Sequence, residues 1–348
     1  MVSLSLSSFL LLGLFAFFVV GLLTPLMRNI AINLNVVDFP TESHKTHVKP
    51  IPYMGGVAII FGVIFVTYIV SIVSQFTTGT FLLASTILIP AFAMGIIGLI
   101  DDVRKLMPWP RFLMQTFFGI AISLSLVLTE TLGSPFGNAW IDVPLTSLWI
   151  VGITNAVNFF DNIDGGASGA MLISSAFLFL LAWQSGQILI AAMSIVVAGA
   201  TFGFLLWNRP PARIYMGDAG ALFLGVLMAS LCTRFDPSPI DIFASYSIPI
   251  LLLAIPIMDT SVAVLSRIQR GISPFQGGRD HLSHRLMELG YSKKQAVLIL
   301  WLLSVFFCLM ATAISNVSYS LERPLMLFTL MCWMTLTIFF FRLRHFGS

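Results

Sequence analysis

Residues 147–182, SLWIVGITNAVNFFDNIDGGASGAMLISSAFLFLLA, place two carboxylates and three carboxamides between two apolar runs. Asn155, Asn158 and Asn162 recur at a spacing that puts them on one stripe of a helix, and Asp161 and Asp164 follow where that helix would end. An ionised aspartate at the centre of a membrane span costs about 2.5–3.5 kcal/mol on insertion scales. We therefore expect this polar joint to face a protein interior or a wet cavity.

The composition of the whole chain is that of a membrane protein. Of its 348 residues, 57% are hydrophobic and only 9% are charged, whereas a soluble domain averages about 25% charged residues. Mean hydropathy is +0.96, and apolar runs of about 20 residues, the length of a transmembrane helix, recur along the chain. The three cysteines lie singly in such runs, which favours neither a disulfide framework nor a zinc site.

We predict an all-α integral membrane protein with about eleven transmembrane helices, in a single polytopic domain over residues 1–348. The predicted spans are 4–27, 53–74, 80–100, 112–129, 143–160, 166–184, 187–206, 217–233, 242–265, 295–315 and 324–341. When alternate loops are assigned to opposite sides, all Lys and Arg residues except Arg234 and Arg323 fall on one side. Because the side rich in Lys and Arg is cytoplasmic, we expect the N-terminus outside and the C-terminus in the cytoplasm.

The longest loop on the basic side, 266–294, is predicted to contain a short amphipathic helix. Leu282, Leu286 and Leu289 form an apolar stripe along it, so we expect the helix to lie on the membrane surface. The residues 292–295, SKKQ, have the pattern of a capping box at the start of the tenth span.

Two further acidic clusters fall on the same predicted side. Asp101 and Asp102 end the apolar third span and are followed by Arg104 and Lys105. Since adjacent carboxylates repel each other, a cation is expected near them. Asp218 begins the eighth span in the segment MGDAGALFLG, where it is either a functional carboxylate or the N-cap of a helix.

The basic residues on this side favour an anionic substrate. His281 and His284 are three residues apart and lie beside Arg279, in a pattern that is not the HExxH of zinc proteases. Carboxylates bind phosphates through a divalent ion such as Mg²⁺, and cations neutralise the phosphates directly. The presence of carboxylates and cationic side chains on one membrane face therefore predicts phosphoryl-type chemistry at a lipid surface.

Five segments resemble, in their order, the polyprenyl-phosphate N-acetylhexosamine-1-phosphate transferase family, and in particular the bacterial undecaprenyl-phosphate GlcNAc-1-phosphate transferase branch of glycosyltransferase family 4. The segments are HVKPIPYMGG (47–56), DDVRK (101–105), NAVNFFDNIDG (155–165), IYMGDAGALFLG (214–225) and GGRDHLSHR (277–285). The predicted eleven-span topology also agrees with that branch.

The resemblance implies that a UDP-N-acetylhexosamine, UDP-GlcNAc or a deoxy analogue, gives its sugar 1-phosphate to undecaprenyl phosphate at the cytoplasmic face of a bacterial inner membrane, which releases UMP and initiates a cell-surface glycan. It implies Mg²⁺, or Mn²⁺ in its place, held by Asp218 with Asp101 and Asp102, and catalysis by Asp101, Asp102 and Asp161. The substrate-binding residues are expected to be Lys49, Asn155, Asn158, Asp164, Asn208, Arg213, Arg279, His281 and His284. The expected partners are the two substrates, membrane lipid and a second copy of the chain, with no nucleic acid.

Three departures from the family pattern leave parts of this function open. Ser283 stands where the family commonly has the middle histidine of a His-x-His-His motif, and Asn162 and Gly166 stand where glycine and leucine are common. The histidine motif favours a simple UDP-HexNAc donor over UDP-MurNAc-pentapeptide. One of Asp101 and Asp102 is an alternative general base that would deprotonate the acceptor phosphate. Direct attack by the acceptor phosphate and a phospho-aspartate intermediate both fit the sequence.

Two other classes of membrane protein compete with this interpretation. An ion-coupled transporter would use acids near the bilayer midplane, and Asp259, inside the ninth predicted span, is placed in that way. A CDP-alcohol phosphatidyltransferase would need an arginine and further aspartates after Asp164, and the sequence that follows Gly165, GASGA, has neither. The second class is therefore disfavoured by the sequence, whereas the first stays open.

Overall fold

The computed structural model describes residues 5–38, 50–73, 77–104, 107–128, 138–237, 239, 241–274 and 278–343. These residues form helices almost throughout, with one short hairpin. The helices are α1 (Leu6–Asn33), α2 (Gly55–Val73), α3 (Thr78–Arg104), α4 (Pro108–Leu128), α5 (Ala139–Phe160), α6 (Gly166–Gln184), α7 (Ile188–Asn208), α8 (Gly217–Arg234), α9 (Ile242–Leu252), α10 (Ala254–Gln269), α11 (Leu282–Glu288), α12 (Lys293–Asn316) and α13 (Tyr319–Arg342), and the strands are β1 (Val37–Asp38) and β2 (Ile51–Pro52).

Nine helices in the described ranges are long and apolar enough to cross a membrane, namely α1 to α7, α12 and α13. α9 and α10 pass the same test together, as one span bent by 77°. α8 is not among them; it has 18 residues and carries Asp218 and Arg234 at its two ends. The structure is thus that of an all-α integral membrane protein, while the count of eleven spans and the orientation of the chain ends stay predictions.

The predicted ninth span, 242–265, is divided in the structure. Leu253 separates α9 from α10 and carries no helical backbone conformation of its own. Pro256 falls in the first turn of α10, where its missing N–H leaves no helical hydrogen bond unmade, so it suits the start of a new helix. Because of this bend, α10 runs at 77° to α9, and it packs against α11.

α8 is the centre of the helical bundle, and every residue from 219 to 232 is buried. α2, α3 and α5 pack around it. A side chain in place of Gly98 would overlap the backbone of Asp218, and one in place of Gly56 would overlap Gly220. Because glycine lets two helix backbones approach closely, α3 meets the start of α8 directly, and Asp101 and Asp102 lie one turn after that contact.

The short hairpin supports the segment that precedes α8. β1 and β2 are antiparallel, with Val37 opposite Pro52. The carbonyl of Pro52 accepts the N–H of Tyr215 at 2.9 Å, and the N–H of Gly55 donates to the carbonyl of Tyr215 at 3.0 Å. The hairpin therefore fixes the chain three residues before Asp218.

α11 falls inside the loop that was predicted to contain a short helix. Leu282 and Leu286 are 0% and 4% exposed, whereas Leu289 is 48% exposed. The burial of Leu282 and Leu286 between α10 and α12 differs from the expected position on the membrane surface, because these two side chains pack against protein instead of lipid. The capping box of Ser292 and Gln295 at the start of α12 is confirmed.

Candidate active site

Arg111 joins two of the predicted acids at one end of the bundle, which we call the site end. Its Nη1 atom lies 2.6 Å from Asp101 Oδ2 and 2.9 Å from Asp218 Oδ2. Asn158 Nδ2 donates to the other oxygen of Asp218 at 2.7 Å. The cation expected beside the acidic pair is therefore Arg111, at the start of α4, and two carboxylates that would repel each other share it.

Asp102 turns away from this cation and binds the start of α8. Its Oδ1 accepts the N–H of Asp218 at 2.9 Å, and its Oδ2 accepts the N–H of Ala219 at 3.1 Å. The first N–H groups of a helix have no partner within the helix, so Asp102 satisfies two of them with a favourable charge. Gly217 has φ +72 and lies against the Asp102 carboxylate, where a side chain would overlap it.

Asp161 and Asp164 lie in the turn between α5 and α6 and have different surroundings. Burial raises the pKa of Asp161 to about 7, and the charges of Asp218 and Asp164 act in the same direction. Asp164 is buried; its Oδ2 accepts the N–H of Ala212 at 3.0 Å, and its Oδ1 pairs with Lys293 at 3.2 Å. Asp161 therefore belongs with Asp101 and Asp218 to a group of carboxylates that we call the acidic cluster, whereas Asp164 ties the turn to neighbouring segments.

His281 is held in one orientation by two charged side chains. Its Nδ1 lies 2.7 Å from Asp259 Oδ2, and its Nε2 lies 3.3 Å from Arg267 Nη2. A carboxylate only accepts and a guanidinium only donates, so these contacts fit the neutral ring with its proton on Nδ1. Asp259, the acid that suggested a transporter, is thus the fully buried partner of a histidine.

His284 lies next to His281, with the ring centroids 5.9 Å apart. Burial lowers the pKa of His284 to about 4, and the proximity of His281 lowers it further. The half-buried imidazole is therefore neutral at pH 7. It can meet a phosphate as a hydrogen-bond donor and not as a cation.

Two of the other predicted substrate-binding residues have structural partners. Asn155 Nδ2 donates to the carbonyl of Val151 in its own helix at 2.8 Å. Asn208 is buried, accepts from Gly165 N–H and Ser168 Oγ at 3.0 and 2.8 Å, and donates to the carbonyl of Ile214 at 3.0 Å. Asn208 therefore braces the turn before α6, and its predicted contact with substrate stays a prediction.

The predicted cations also differ in position. Arg279 is exposed at the start of residues 278–285, which we call the histidine loop. The guanidinium of Arg213 lies over the ring of Trp207, 5.8 Å from its centroid, on the outer side formed by α1 and α7. Lys49 lies outside the described residues. Of Arg213 and Arg279, the two that the structure describes, Arg279 has the position better suited to a substrate at the site end.

The sequence did not single out three residues of this site. Arg111 resembles any other cation of the basic side, and only the fold brings it to Asp218, 107 residues away. Tyr53 and Tyr215 form a half-buried aromatic pair with ring centroids 6.0 Å apart. Burial, and then the charge of nearby carboxylates, raises the pKa of both phenols, so both remain donors. The segments that resemble the family contained both tyrosines, but nothing in their spacing showed that they would meet.

The carboxylates fit Mg²⁺ when a substrate completes the site. Within the described residues, no three His, Cys, Asp or Glu side chains surround one point closely enough to hold a metal by themselves. Mg²⁺ is commonly held by one or two carboxylates together with substrate phosphates. Asp101 and Asp218 provide such a pair, because one oxygen of each reaches the same nitrogen of Arg111. Asp102, whose oxygens both accept backbone N–H groups, is less suited to bind the metal.

The site combines a carboxylate cluster, its own cation and a histidine loop at one end of a bundle of membrane helices, and this is the arrangement of an integral membrane protein with a charged site. The family model described as glycosyl transferase family 4 matches residues 83–236. A probable undecaprenyl-phosphate N-acetylglucosaminyl 1-phosphate transferase of Bacillus subtilis (strain 168) is 35% identical over 300 residues, which are 85% of this chain and 82% of the relative. The chain therefore belongs to glycosyl transferase family 4, among its polyprenyl-phosphate N-acetylhexosamine-1-phosphate transferases, and the predicted family is confirmed.

Two other relatives carry related names. A decaprenyl-phosphate N-acetylglucosaminephosphotransferase of Mycobacterium leprae (strain TN) is 32% identical over 84% of this chain and 80% of the relative. A phospho-N-acetylmuramoyl-pentapeptide-transferase of Clostridium botulinum (strain Eklund 17B / Type B) is 27% identical over 87% of this chain and 94% of the relative. The similarity is thus higher to the two relatives that are named for N-acetylglucosamine.

Proposed function

We propose that the protein transfers N-acetylhexosamine 1-phosphate from a UDP-N-acetylhexosamine to undecaprenyl phosphate at the cytoplasmic face of a bacterial inner membrane, as the first step of a cell-surface glycan. The observation that carries the proposal is the contact of Asp101 and Asp218 with Arg111 at the site end, on the side where the Lys and Arg residues are predicted to collect. The activities named for the relatives from B. subtilis and M. leprae support the same reaction.

The reaction requires two anions to meet. A phosphate monoester has a second pKa of about 6 and is largely ionised at pH 7, so an oxygen of the lipid phosphate can attack without a strong base. It attacks the phosphorus that carries the sugar, a bond forms between the two phosphates, and the bond to UMP breaks. UMP leaves with the electron pair, which requires positive charge at the site end.

The side chains of this chain divide that work. Arg111 provides a fixed positive charge between Asp101 and Asp218. Asn158 orients Asp218 from one side, and Asp102 fixes the backbone of α8 from the other. When bound by these carboxylates and the donor diphosphate, Mg²⁺ would supply Lewis acidity and further positive charge.

The donor is recognised on the two flanks of the acidic cluster. The half-buried ring pair of Tyr53 and Tyr215 offers an aromatic face to the base of the nucleotide. Arg279 and His284, at the histidine loop, face the remaining phosphate and sugar groups as a cation and as a neutral donor.

Replacement of Asp218 by asparagine tests the proposal directly. Purified protein is mixed with UDP-GlcNAc, undecaprenyl phosphate and Mg²⁺, and UMP release is measured. We expect Asp218→Asn to lower kcat by at least about 100-fold, because one oxygen that can face a cation is lost. Asp236→Asn is the matched control, since Asp236 is exposed beyond the opposite end of α8 and should retain the rate. Equal activity of Asp218→Asn and the control would exclude the assigned role.

Transfer of phospho-MurNAc-pentapeptide is the second candidate, because the relative from C. botulinum carries that name. A donor screen with UDP-GlcNAc, UDP-deoxy-HexNAc sugars and UDP-MurNAc-pentapeptide distinguishes the two. We expect UMP from a simple donor and none from the pentapeptide donor. We also propose that the protein is a homodimer. The molecular mass of the same purified protein in detergent tests this.

A further inference from the structure

Asn162 and Ser283, two positions at which the chain departs from the pattern that it resembles, are in direct contact. Ser283 is the second residue of α11 and is fully buried. Its hydroxyl donates to Asn162 Oδ1 at 2.5 Å. This hydrogen bond connects the histidine loop with the turn that follows α5.

Asn162 extends this connection to the buried acid of the histidine cluster. Its Nδ2 donates to the carbonyl of Phe159 at 2.8 Å and to Asp259 Oδ2 at 3.3 Å. Asp259 Oδ2 also contacts His281 Nδ1 at 2.7 Å, and Oδ1 accepts the N–H of Leu282 at 2.7 Å. A fully buried carboxylate depends on such donors, so Asn162 is one of the groups that fix the Asp259–His281 pair.

The same short segment also reaches the acidic cluster. Asn158, one helical turn before Asn162, donates to Asp218 at 2.7 Å. A shift of residues 158–162 would therefore move a partner of Asp218 and a partner of Asp259 together. The end of α5 is the common support of the acidic cluster and the histidine loop.

We propose that Asn162 and Ser283 are a matched pair of positioning residues that fixes the histidine loop to the end of α5, and that glycine and histidine can replace them only together. The imidazole ring adds as many non-hydrogen atoms at position 283 as the change to glycine removes at position 162. A ring N–H in the vacated space can also replace the Asn162 amide as a donor to Asp259.

Either exchange alone breaks this fit. Ser283→His places a ring where the buried serine leaves no room, because the Asn162 side chain stays in place. Asn162→Gly leaves a cavity, removes a donor to Asp259 and leaves the Ser283 hydroxyl without its acceptor. The double variant restores both the volume and the donor.

A double-mutant cycle tests the pair with two measurements on the full chain in detergent. One is kcat and KM for UDP-GlcNAc, from UMP release, and the other is the melting temperature. We expect each single substitution to lower kcat about tenfold, with a smaller change in KM. The kcat of the double variant should return to within about threefold of that of the protein without substitutions. Ser283→Ala is the matched control, because it removes the hydroxyl without adding a ring, and Asn162→Gly should not rescue it.

The proposal is overturned if the losses in kcat multiply and the shifts in melting temperature add in the double variant, or if the double variant does not fold. The rate measurement rests on the proposed function, whereas the melting temperature does not. If the unchanged protein releases no UMP with any donor, the proposed function fails, and the melting temperatures alone decide whether the two residues are a pair.

Discussion

Replacement of Asp102 by asparagine separates two roles that this carboxylate could have. The resemblance to the family implies a metal ligand or a general base. The structure gives both of its oxygens to the backbone N–H groups of Asp218 and Ala219, at 2.9 and 3.1 Å. Asparagine keeps the size of the side chain but offers one acceptor and turns an NH₂ group toward the other donor.

The expected loss of stability follows from these contacts. A hydrogen bond to a charged acceptor contributes about 1.5–3 kcal/mol, and one of the two is lost. The interaction of the carboxylate charge with the start of α8 contributes about 0.3–1 kcal/mol more. We therefore expect Asp102→Asn to lower the free energy of unfolding by about 2–4 kcal/mol. A loss at the upper end of this range is expected if the buried N–H of Ala219 is left without any acceptor.

The assay compares the melting temperature in detergent with the Mg²⁺ concentration that gives half-maximal UMP release. For Asp102→Asn we expect a lower melting temperature and an unchanged Mg²⁺ requirement. Asp101→Asn is the control, because Asp101 contacts Arg111 and not the α8 backbone, and it should raise the Mg²⁺ requirement. An Asp102→Asn protein with an unchanged melting temperature and a raised Mg²⁺ requirement would refute the reasoning and restore the role of metal ligand.

Two further predictions concern the cation and the histidine loop. Arg111→Ala should lower kcat about 100- to 1,000-fold, since it removes the positive charge between two carboxylates. Arg104→Ala is the control, because Arg104 is exposed, and it should leave the rate of UMP release within about twofold. Similar rates for the two variants would contradict the role of Arg111. Burial lowers the pKa of His284 to about 4 in the folded protein, against an ordinary value of 6.5. Below pH 6.5 the unfolded chain therefore binds a proton that the buried ring does not. The free energy of unfolding should fall by about 1–2 kcal/mol between pH 7 and pH 5. His284→Gln should remove this part of the pH dependence of the melting temperature, and an identical pH dependence in both proteins would rule it out.

The sequence by itself determined the family and the membrane class of the protein. Apolar runs predict membrane helices because the hydrocarbon core admits few other structures, and the sixth predicted span, 166–184, has the bounds of α6. The capping box at Ser292 depends only on neighbouring residues, so it too could be predicted. Local patterns of this kind need no knowledge of distant contacts.

Only the tertiary structure decided which of these residues meet. Arg111 is the partner of Asp218, and Ser283 is the partner of Asn162, although long stretches of chain separate each pair. Asp102 became an anchor of α8 because the glycine contact at Gly98 brings the two backbones together. Such roles depend on how closely helices approach one another, and hydropathy and spacing along a chain contain no information about that distance.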